Sequence, residues 1–160
     1  YSETFIVPEP ITPKTGAKVA SLSNPEKKMS KSESEKGTIY LLEDLNITRK
    51  KIMSSVTDCD NEIKYDTEHK PGISNLLTIL SSLTGKSIES LVENYQNVGY
   101  GTFKKDVADA VCKELGELQA KVLEIQSSNK IEEILEEGAK KASYYARKKL
   151  SKVYRKVGLN

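Results

Sequence analysis

Apolar residues recur every three or four positions along most of the chain after Gly37, which is the spacing of one face of an α-helix. The segments with this spacing are residues 41–56, Pro71 to Gly85, a short stretch from Ser87, about Thr102 to Gln126, and Asn129 to Gly158. The pattern therefore predicts a chain that is mainly α-helical from residue 37 onward.

Several of these segments carry residues that commonly begin or end helices. Pro71 suits a first helical turn, where its missing N–H removes no hydrogen bond. Asn129, with Glu132 three residues later, is typical of an N-terminal cap, and Gly158 is typical of a C-terminal stop. On the apolar faces of the last two helices, Cys112 and Tyr145 are expected to pack in the core.

The first 36 residues have a different character, with four of the five prolines of the chain. Residues 17–22 predict a short β-strand, bounded by Gly16 and Asn24-Pro25. A single strand cannot bury its face alone, so it should belong to a sheet whose other strands lie elsewhere. The stretch that follows, up to Gly37, is rich in lysine and serine and predicts a flexible loop. The expected fold class is mainly α, with a helical bundle preceded by a short strand and this loop.

Composition limits the classes of protein to consider. The chain has 160 residues, enough for one domain or for one domain plus a piece of a neighbour, and its 37% of hydrophobic residues is typical of a soluble globular protein. No apolar run approaches the roughly 20 residues that cross a bilayer, so no membrane role is expected. The two cysteines have no metal or redox spacing, which favours a reducing, cytoplasmic setting. Because the sequence opens at Tyr1 without a methionine, it is expected to be a fragment.

The net charge of the chain is only +2, but its basic residues are unevenly distributed. From Gly138 to Asn160 there are eight lysines and arginines and no acidic residue. The helix macrodipole favours basic residues late in a helix, but it does not require so many. A surface that faces RNA phosphates is therefore plausible, and Tyr144 and Tyr154 could either stack on bases or pack. The candidate phosphate contacts are Lys148, Lys149, Lys152, Arg155 and Lys156.

The lysine-rich loop contains the sequence Lys27-Lys28-Met29-Ser30-Lys31-Ser32. Lysines separated by small hydroxyl residues can surround a polyphosphate, because ammonium groups supply charge while hydroxyls and backbone N–H groups donate hydrogen bonds. A solvated basic loop is the simplest alternative for such a sequence. Residues 28–32, however, are identical to the second signature of class I aminoacyl-tRNA synthetases and lie between a predicted strand and a helical region.

Further motifs, in order and spacing, resemble the tryptophanyl-tRNA synthetases within that class. They are Gly16-Ala17-Lys18-Val19 before the loop, then Ser55-Val56-Thr57-Asp58, Lys70-Pro71-Gly72-Ile73-Ser74-Asn75-Leu76-Leu77 and Gly99-Tyr100-Gly101-Thr102-Phe103-Lys104. The resemblance extends from about Phe5 to the C-terminus. The tyrosyl enzyme is the nearest alternative, but it usually has a variant loop and lacks the long motif that begins at Lys70.

The resemblance implies roles for individual residues. Lys28 and Lys31 would hold the ATP phosphates and stabilise the departing pyrophosphate. Met29, Ser30 and Ser32 would complete the loop over ATP, and the backbone at Val19 would border the adenine. Residues 1–36 would be the end of a nucleotide-binding catalytic domain, and residues 37–160 an anticodon-binding domain. The intact enzyme would be a cytoplasmic homodimer that uses ATP with Mg²⁺ and charges tRNA(Trp).

One part of the family pattern is missing. Class I synthetases also carry a His-Ile-Gly-His signature, whereas this chain has a single histidine, His69, in a predicted polar turn. The chain alone is therefore expected to lack catalytic activity, to bind neither ATP nor metal, and to need an N-terminal catalytic domain as partner. Two other readings stay open. The chain could be a helical protein-interaction module with a merely solvated loop, or it could retain activity.

Overall fold

In the computed structural model, the described residues are 3–13, 16, 18–32 and 35–159, and most of them are helical. A single 3-10 turn, Glu35–Gly37, precedes the α-helices. In chain order these are α1 Leu45–Met53, α2 Pro71–Thr84, α3 Ile88–Asn94, α4 Tyr100–Gln126 and α5 Lys130–Val157. The prediction of a mainly α fold is confirmed.

The predicted strand at residues 17–22 is the part of that prediction to correct. Ala17 lies outside the described residues, and Lys18–Leu22 forms no strand; within the described ranges, β pairing is limited to one antiparallel bridge between Ala20 and Lys28. The reason lies in the backbone of Leu22. Its N–H donates to Gly37 O at 3.0 Å and its carbonyl accepts from Val56 N at 2.8 Å, so it bonds to two irregular segments and no regular ladder continues.

The chain divides into two compact units. One is Thr12–Ala120, and the other joins Tyr1–Ile11 to Lys121–Asn160. These two units do not test the predicted domain boundary at residue 36, which stays a prediction. Leu22, from the segment before that boundary, is buried in the same core as side chains of α1, α2 and α4.

The core of the Thr12–Ala120 unit is formed where α1, α2 and α4 bury their apolar faces. Its largest fully buried apolar side chains are Phe103, Ile52, Ile73, Leu76, Leu77 and Val107. Cys112 is buried beside them, as predicted, and its thiol donates to Leu45 O at 3.4 Å. Cys59 is exposed.

Most of the predicted helix ends are confirmed. Pro71 is the first residue of α2, and Gly85 ends it in the left-handed conformation with φ of 70°. Gly158 ends α5 in the same way with φ of 77°. Asn129 does precede α5, but its side chain makes no capping hydrogen bond.

The helix α5 differs from the others because none of its side chains is buried. Its apolar stripe is therefore in contact with solvent, and Leu135 is 65% exposed. The expectation that Tyr145 packs in a core is wrong: this ring is 60% exposed and makes an edge-to-face contact with Tyr144 at 5.4 Å between centroids. Among the described residues, no helix is long and apolar enough to cross a membrane.

Candidate nucleotide-binding loop

The signature loop lies at the end of a short hairpin whose two arms are residues 19–21 and 27–29. Ser21 N donates to Lys27 O at 2.9 Å, and Met29 N donates to Val19 O at 2.9 Å. These two bonds flank the bridge between Ala20 and Lys28, so the backbone of Lys28 is held in place. Its ammonium-bearing side chain is exposed.

The loop presents its polar groups outward and one apolar group inward. Lys31 and Ser32 are exposed like Lys28, whereas Met29 is partly buried and packs against the hydrophobic core. Val19 packs there too, and both side chains border a mostly apolar cavity of about 240 Å³. The apolar contacts hold the hairpin, and Lys28 and Lys31 are exposed to solvent, where an anion could reach them.

Ser30 connects the signature to the segment that follows it. Its hydroxyl lies 2.9 Å from that of Ser32, and its carbonyl accepts a hydrogen bond of 2.9 Å from the hydroxyl of Thr38. Glu33 and Ser34, between these contacts, lie outside the described residues. The expected flexibility of the whole loop therefore stays a prediction.

Thr38 is in turn held by a buried lysine of α1. Lys51 Nζ donates to Thr38 O at 2.8 Å and forms an ion pair of 2.5 Å with Glu43. The same ammonium lies 4.9 Å from the centre of the Tyr40 ring, within the range of a cation–π contact. Both partners of the ion pair are nearly buried, so removing either one would leave a charge without compensation.

On the other arm of the hairpin, the anchor is Asn75 of α2. Its amide oxygen accepts from Ala20 N at 2.8 Å and its amide nitrogen donates to Ala20 O at 2.9 Å. Asn75 is only 7% exposed. Hydrogen bonds thus attach the hairpin to α2 at Ala20. They also attach it to α1, because Thr38 bonds to Ser30 and to Lys51.

A second polar cluster joins three of the sequence motifs, and sequence reasoning missed it. Lys70 Nζ lies 3.0 Å from Asp58 Oδ1, 2.9 Å from Asp60 Oδ2 and 3.3 Å from the Tyr100 hydroxyl. The Tyr100 hydroxyl also donates to Asp58 Oδ1 at 2.6 Å. A signal was present in the sequence, because Asp58, Lys70 and Tyr100 each belong to one of the three motifs that follow the loop, yet their contacts span up to 42 positions.

The pKa values of this cluster follow from its geometry. Burial would lower the pKa of Lys70, but hydrogen bonds to Asp60 and Asp58 raise it above its ordinary value. Burial would raise the pKa of Asp58, but the hydrogen bonds from Tyr100 and Lys70 lower it. Burial and the bond to Asp58 raise the pKa of Tyr100 to about 12. At neutral pH, Lys70 and Asp58 are therefore charged and the Tyr100 hydroxyl keeps its proton.

Two further motif residues serve packing. Lys104 Nζ donates to Ser55 O at 2.8 Å and to the Thr57 hydroxyl at 3.1 Å, and burial lowers its pKa. Gly72 lies against Val56, where an added Cβ would be 2.1 Å from the carbonyl oxygen. The first turn of α2 can approach this backbone only because residue 72 has no side chain.

His69 behaves as its sequence context predicts. Its ring nitrogen lies 3.0 Å from a carboxylate oxygen of Asp66, and its side chain is exposed. Across the described ranges, no group of three or more histidine, cysteine, aspartate or glutamate residues is placed to hold a metal ion.

The five basic residues predicted to meet RNA do not have equivalent surroundings. Lys149 Nζ donates to Thr4 O at 2.8 Å, and Lys156 Nζ donates to Glu3 O at 2.6 Å. These two lysines therefore bind the N-terminal segment of their own unit. The other three, Lys148, Lys152 and Arg155, are exposed.

Lys148 lines a groove along α5. Its ammonium lies 5.8 Å from the centre of the Tyr144 ring. The groove, of about 740 Å³, is also lined by the basic Lys140 and Arg147 and by the acidic Glu136, which pairs with Lys140. Cations beside an exposed aromatic ring are the groups that single-stranded nucleic acids bind.

The chain matches the family described as class I tRNA synthetases for W and Y over residues 1–116. This match includes the hairpin, the signature and the cluster around Lys70. The chain belongs to this family.

Among the curated members of this family, the relatives that the chain matches include tryptophan–tRNA ligases. The chain is 46% identical over 160 residues to a tryptophan–tRNA ligase of Clostridium tetani, covering 99% of the chain and 47% of the relative. It is 45% identical over 161 residues to that of Bacillus anthracis, covering 100% and 49%. The chain thus spans about half the length of the curated relatives that it matches.

Solved structures in the family agree with the fold. The tryptophanyl-tRNA synthetase of Mycoplasma pneumoniae superimposes with a TM-score of 0.82 at 30% identity, over 92% of this chain and 47% of that one. The enzyme of Campylobacter jejuni, complexed with ADP and tryptophan, gives a TM-score of 0.62 at 31% identity, over 89% and 44%. The predicted resemblance to tryptophanyl-tRNA synthetases is confirmed.

Proposed function

We propose that this chain is the C-terminal part of a tryptophan–tRNA ligase. In the intact enzyme, ATP and tryptophan would give tryptophanyl-adenylate and pyrophosphate, and the tryptophanyl group would then pass to tRNA(Trp). The observation that carries the proposal is the signature hairpin, which is fixed at its base and exposes Lys28 and Lys31. Relatives of nearly half identity that carry this activity support it.

Within this reaction, Lys28 and Lys31 would bind the ATP phosphates and offset the negative charge that builds up on the leaving pyrophosphate. Such groups accelerate a reaction because they are already oriented when the charge develops. Ser30 and Ser32 would donate hydrogen bonds to phosphate oxygens, and Val19 and Met29 would border the nucleoside. Mg²⁺ would arrive with ATP and be held mainly by phosphate oxygens, as is usual for this ion.

The same resemblance implies separate roles for the two parts of the chain. Residues 1–36 would complete the catalytic domain, and residues 37–160 would recognise the anticodon of tRNA(Trp). The missing half of the enzyme would supply the His-Ile-Gly-His signature and the tryptophan pocket. We expect the intact protein to be a cytoplasmic homodimer, and this chain alone to be inactive.

The decisive experiment is ATP–pyrophosphate exchange by the intact protein with tryptophan or tyrosine as the amino acid. Tryptophan should support exchange and tyrosine should not.

Lys28→Ala and Lys31→Ala should each lower kcat by about 10²–10³-fold, the usual loss for one transition-state contact. The control is Lys36→Ala, an exposed lysine outside the signature. Equal activity of all variants would contradict the proposal, and exchange by the chain alone would contradict its expected inactivity.

The RNA-binding part of the proposal needs its own test. Charge reversal of Lys148, Lys152 and Arg155 should weaken binding of an anticodon stem-loop of tRNA(Trp) and reduce its dependence on salt, since each lost phosphate contact lowers the slope by about 0.7. A control with the same change in net charge reverses the exposed Lys64, Lys86 and Lys105. Equal binding by both variants would favour the alternative that this region mediates protein contacts.

A further inference from the structure

We propose that Asn75 is a positioning residue for the signature loop, fixing the backbone that carries Lys28 from the rigid helix α2. This inference rests on the proposed function, because its effect on catalysis presumes that the loop binds ATP. Asn75 touches no atom of the signature itself, so it would act through Ala20 and not on the substrate.

The contact between Asn75 and Ala20 is specific in its chemistry. One primary amide supplies both a donor and an acceptor, and here these meet both backbone polar groups of the same residue, at 2.9 and 2.8 Å. The amide therefore satisfies the outer edge of the hairpin arm as a neighbouring strand would. The two residues lie 55 positions apart, so the bond joins elements that the chain does not otherwise connect closely.

Ala20 is also the residue that determines where Lys28 lies. It forms the single bridge to Lys28, and the bonds on either side of that bridge leave no freedom for a shift of register. A path of contacts therefore runs from the Asn75 side chain on α2 to the backbone of Ala20, and through the hairpin pairing to the backbone of Lys28. Within the described residues the hairpin has one bridge and no longer ladder, so the Asn75 amide supplies the hydrogen bonds that a third strand would give to this arm.

Asn75, where this path begins, lies on a rigid part of α2. Asn75 lies in the first half of α2 between the buried residues Ile73 and Leu76, which are 0% and 1% exposed. Its amide is thus fixed by the core packing of the helix. A residue held in this way can keep a loop within the narrow tolerance that adenylyl transfer requires.

Asn75→Asp in the intact protein is the sharpest test, because the side chain keeps its shape. A carboxylate still accepts from Ala20 N, but it cannot donate to Ala20 O and instead places an oxygen against that carbonyl. We expect kcat for ATP–pyrophosphate exchange to fall about tenfold or more, with the KM for tryptophan unchanged within roughly twofold. Asn94→Asp, at an exposed position of α3, is the matched control and should behave as wild type.

A second readout does not depend on activity. In this chain, the amide hydrogens of Ser21 and Met29 should exchange faster in Asn75→Asp than in wild type, while amides in the middle of α4 should not change. If Asn75→Asp does not fold, as judged by circular dichroism, Asn75→Ser enters the same measurements, since serine cannot bridge both groups of Ala20.

The outcomes separate the inference from the proposed function. Slower turnover with an unchanged KM for tryptophan and faster hairpin exchange would support it. A folded variant with unchanged turnover would overturn it, and so would a variant whose KM for tryptophan rises in proportion, since that indicates general damage. If Lys28→Ala and Lys31→Ala leave exchange activity intact, the proposed function fails, whatever the hydrogen-exchange result at Asn75.

Discussion

At the scale of single residues, the lysines of this chain divide into two kinds. Lys51 and Lys70 are at most 8% exposed, and each is bound by carboxylates or carbonyls that hold the fold together. Lys28 and Lys31 are exposed on the signature loop. The signature marks Lys28 and Lys31 in the sequence as candidate substrate contacts, whereas only the tertiary contacts show that Lys51 and Lys70 are structural cations.

Gly72 provides a prediction at this scale. Since an added Cβ would lie 2.1 Å from the carbonyl oxygen of Val56, Gly72→Ala must push α2 away from that backbone. We expect the free energy of unfolding to fall by about 1–3 kcal/mol, as for other overpacked sites. Urea unfolding followed by circular dichroism measures it.

Gly101→Ala is the control, since Gly101 is also helical and an added Cβ there would meet no atom within 4 Å. Its stability should be unchanged or slightly higher, because alanine has the better helix propensity. Equal losses in both variants would show that the contact with Val56 is not the cause.

Tyr100 gives a prediction about alkaline pH. Its pKa is raised from 10.0 to about 12 in the folded chain, so the folded state holds the phenol proton more tightly than the unfolded state. The resulting stabilisation is complete below pH 10 and is lost as the pH rises to about 12. Urea unfolding between these pH values should therefore show a steeper loss of stability for wild type than for Tyr100→Phe. Parallel curves would contradict the assignment.

At the scale of elements, the helices α2 and α5 represent opposite cases. In α2, nine residues are buried, including Ser74 and Asn75. In α5, an amphipathic pattern of similar clarity buries none. The periodicity that predicts a helix therefore does not determine whether its apolar face is covered, because that depends on which element packs against it.

Hydrogen exchange should separate these two helices. Amide protection reflects the free energy needed to open a segment, which is low where few apolar contacts are buried. We expect peptides from α5 to exchange substantially faster than peptides from α2 under native conditions, as measured by mass spectrometry. Equal protection in the two helices would mean that α5 gains stability from contacts other than burial within this chain.

At the scale of the whole molecule, all buried residues of the described ranges lie between Ser21 and Leu115. The core therefore belongs to the Thr12–Ala120 unit. Lys51 and Asn75, whose polar contacts hold the hairpin of residues 19–29, lie in the same unit.

This distribution predicts that residues 12–120, expressed alone, unfold cooperatively in urea with a midpoint close to that of the full chain. Residues 121–160 alone should have low helicity, since a helix without buried contacts is only marginally stable in water. Circular dichroism of the two segments measures both. A segment 12–120 without a cooperative transition would show that its core depends on the remaining residues.

The local sequence determined most of the secondary structure of this protein. Pro71 and Gly85 bound α2, and Gly158 ends α5, because starts and stops depend on backbone geometry within a few residues. The signature at residues 28–32 likewise identified the family, since that motif is contiguous.

Tertiary structure alone decided what holds the candidate site. The bonds from Asn75 to Ala20, from Lys51 to Thr38 and from Lys70 to Tyr100 join residues 13 to 55 positions apart. No periodicity reports such pairings, because they depend on how the elements pack. The predicted strand became a single bridge for the same reason: the backbone of Leu22 found its partners in Gly37 and Val56 instead of in a ladder.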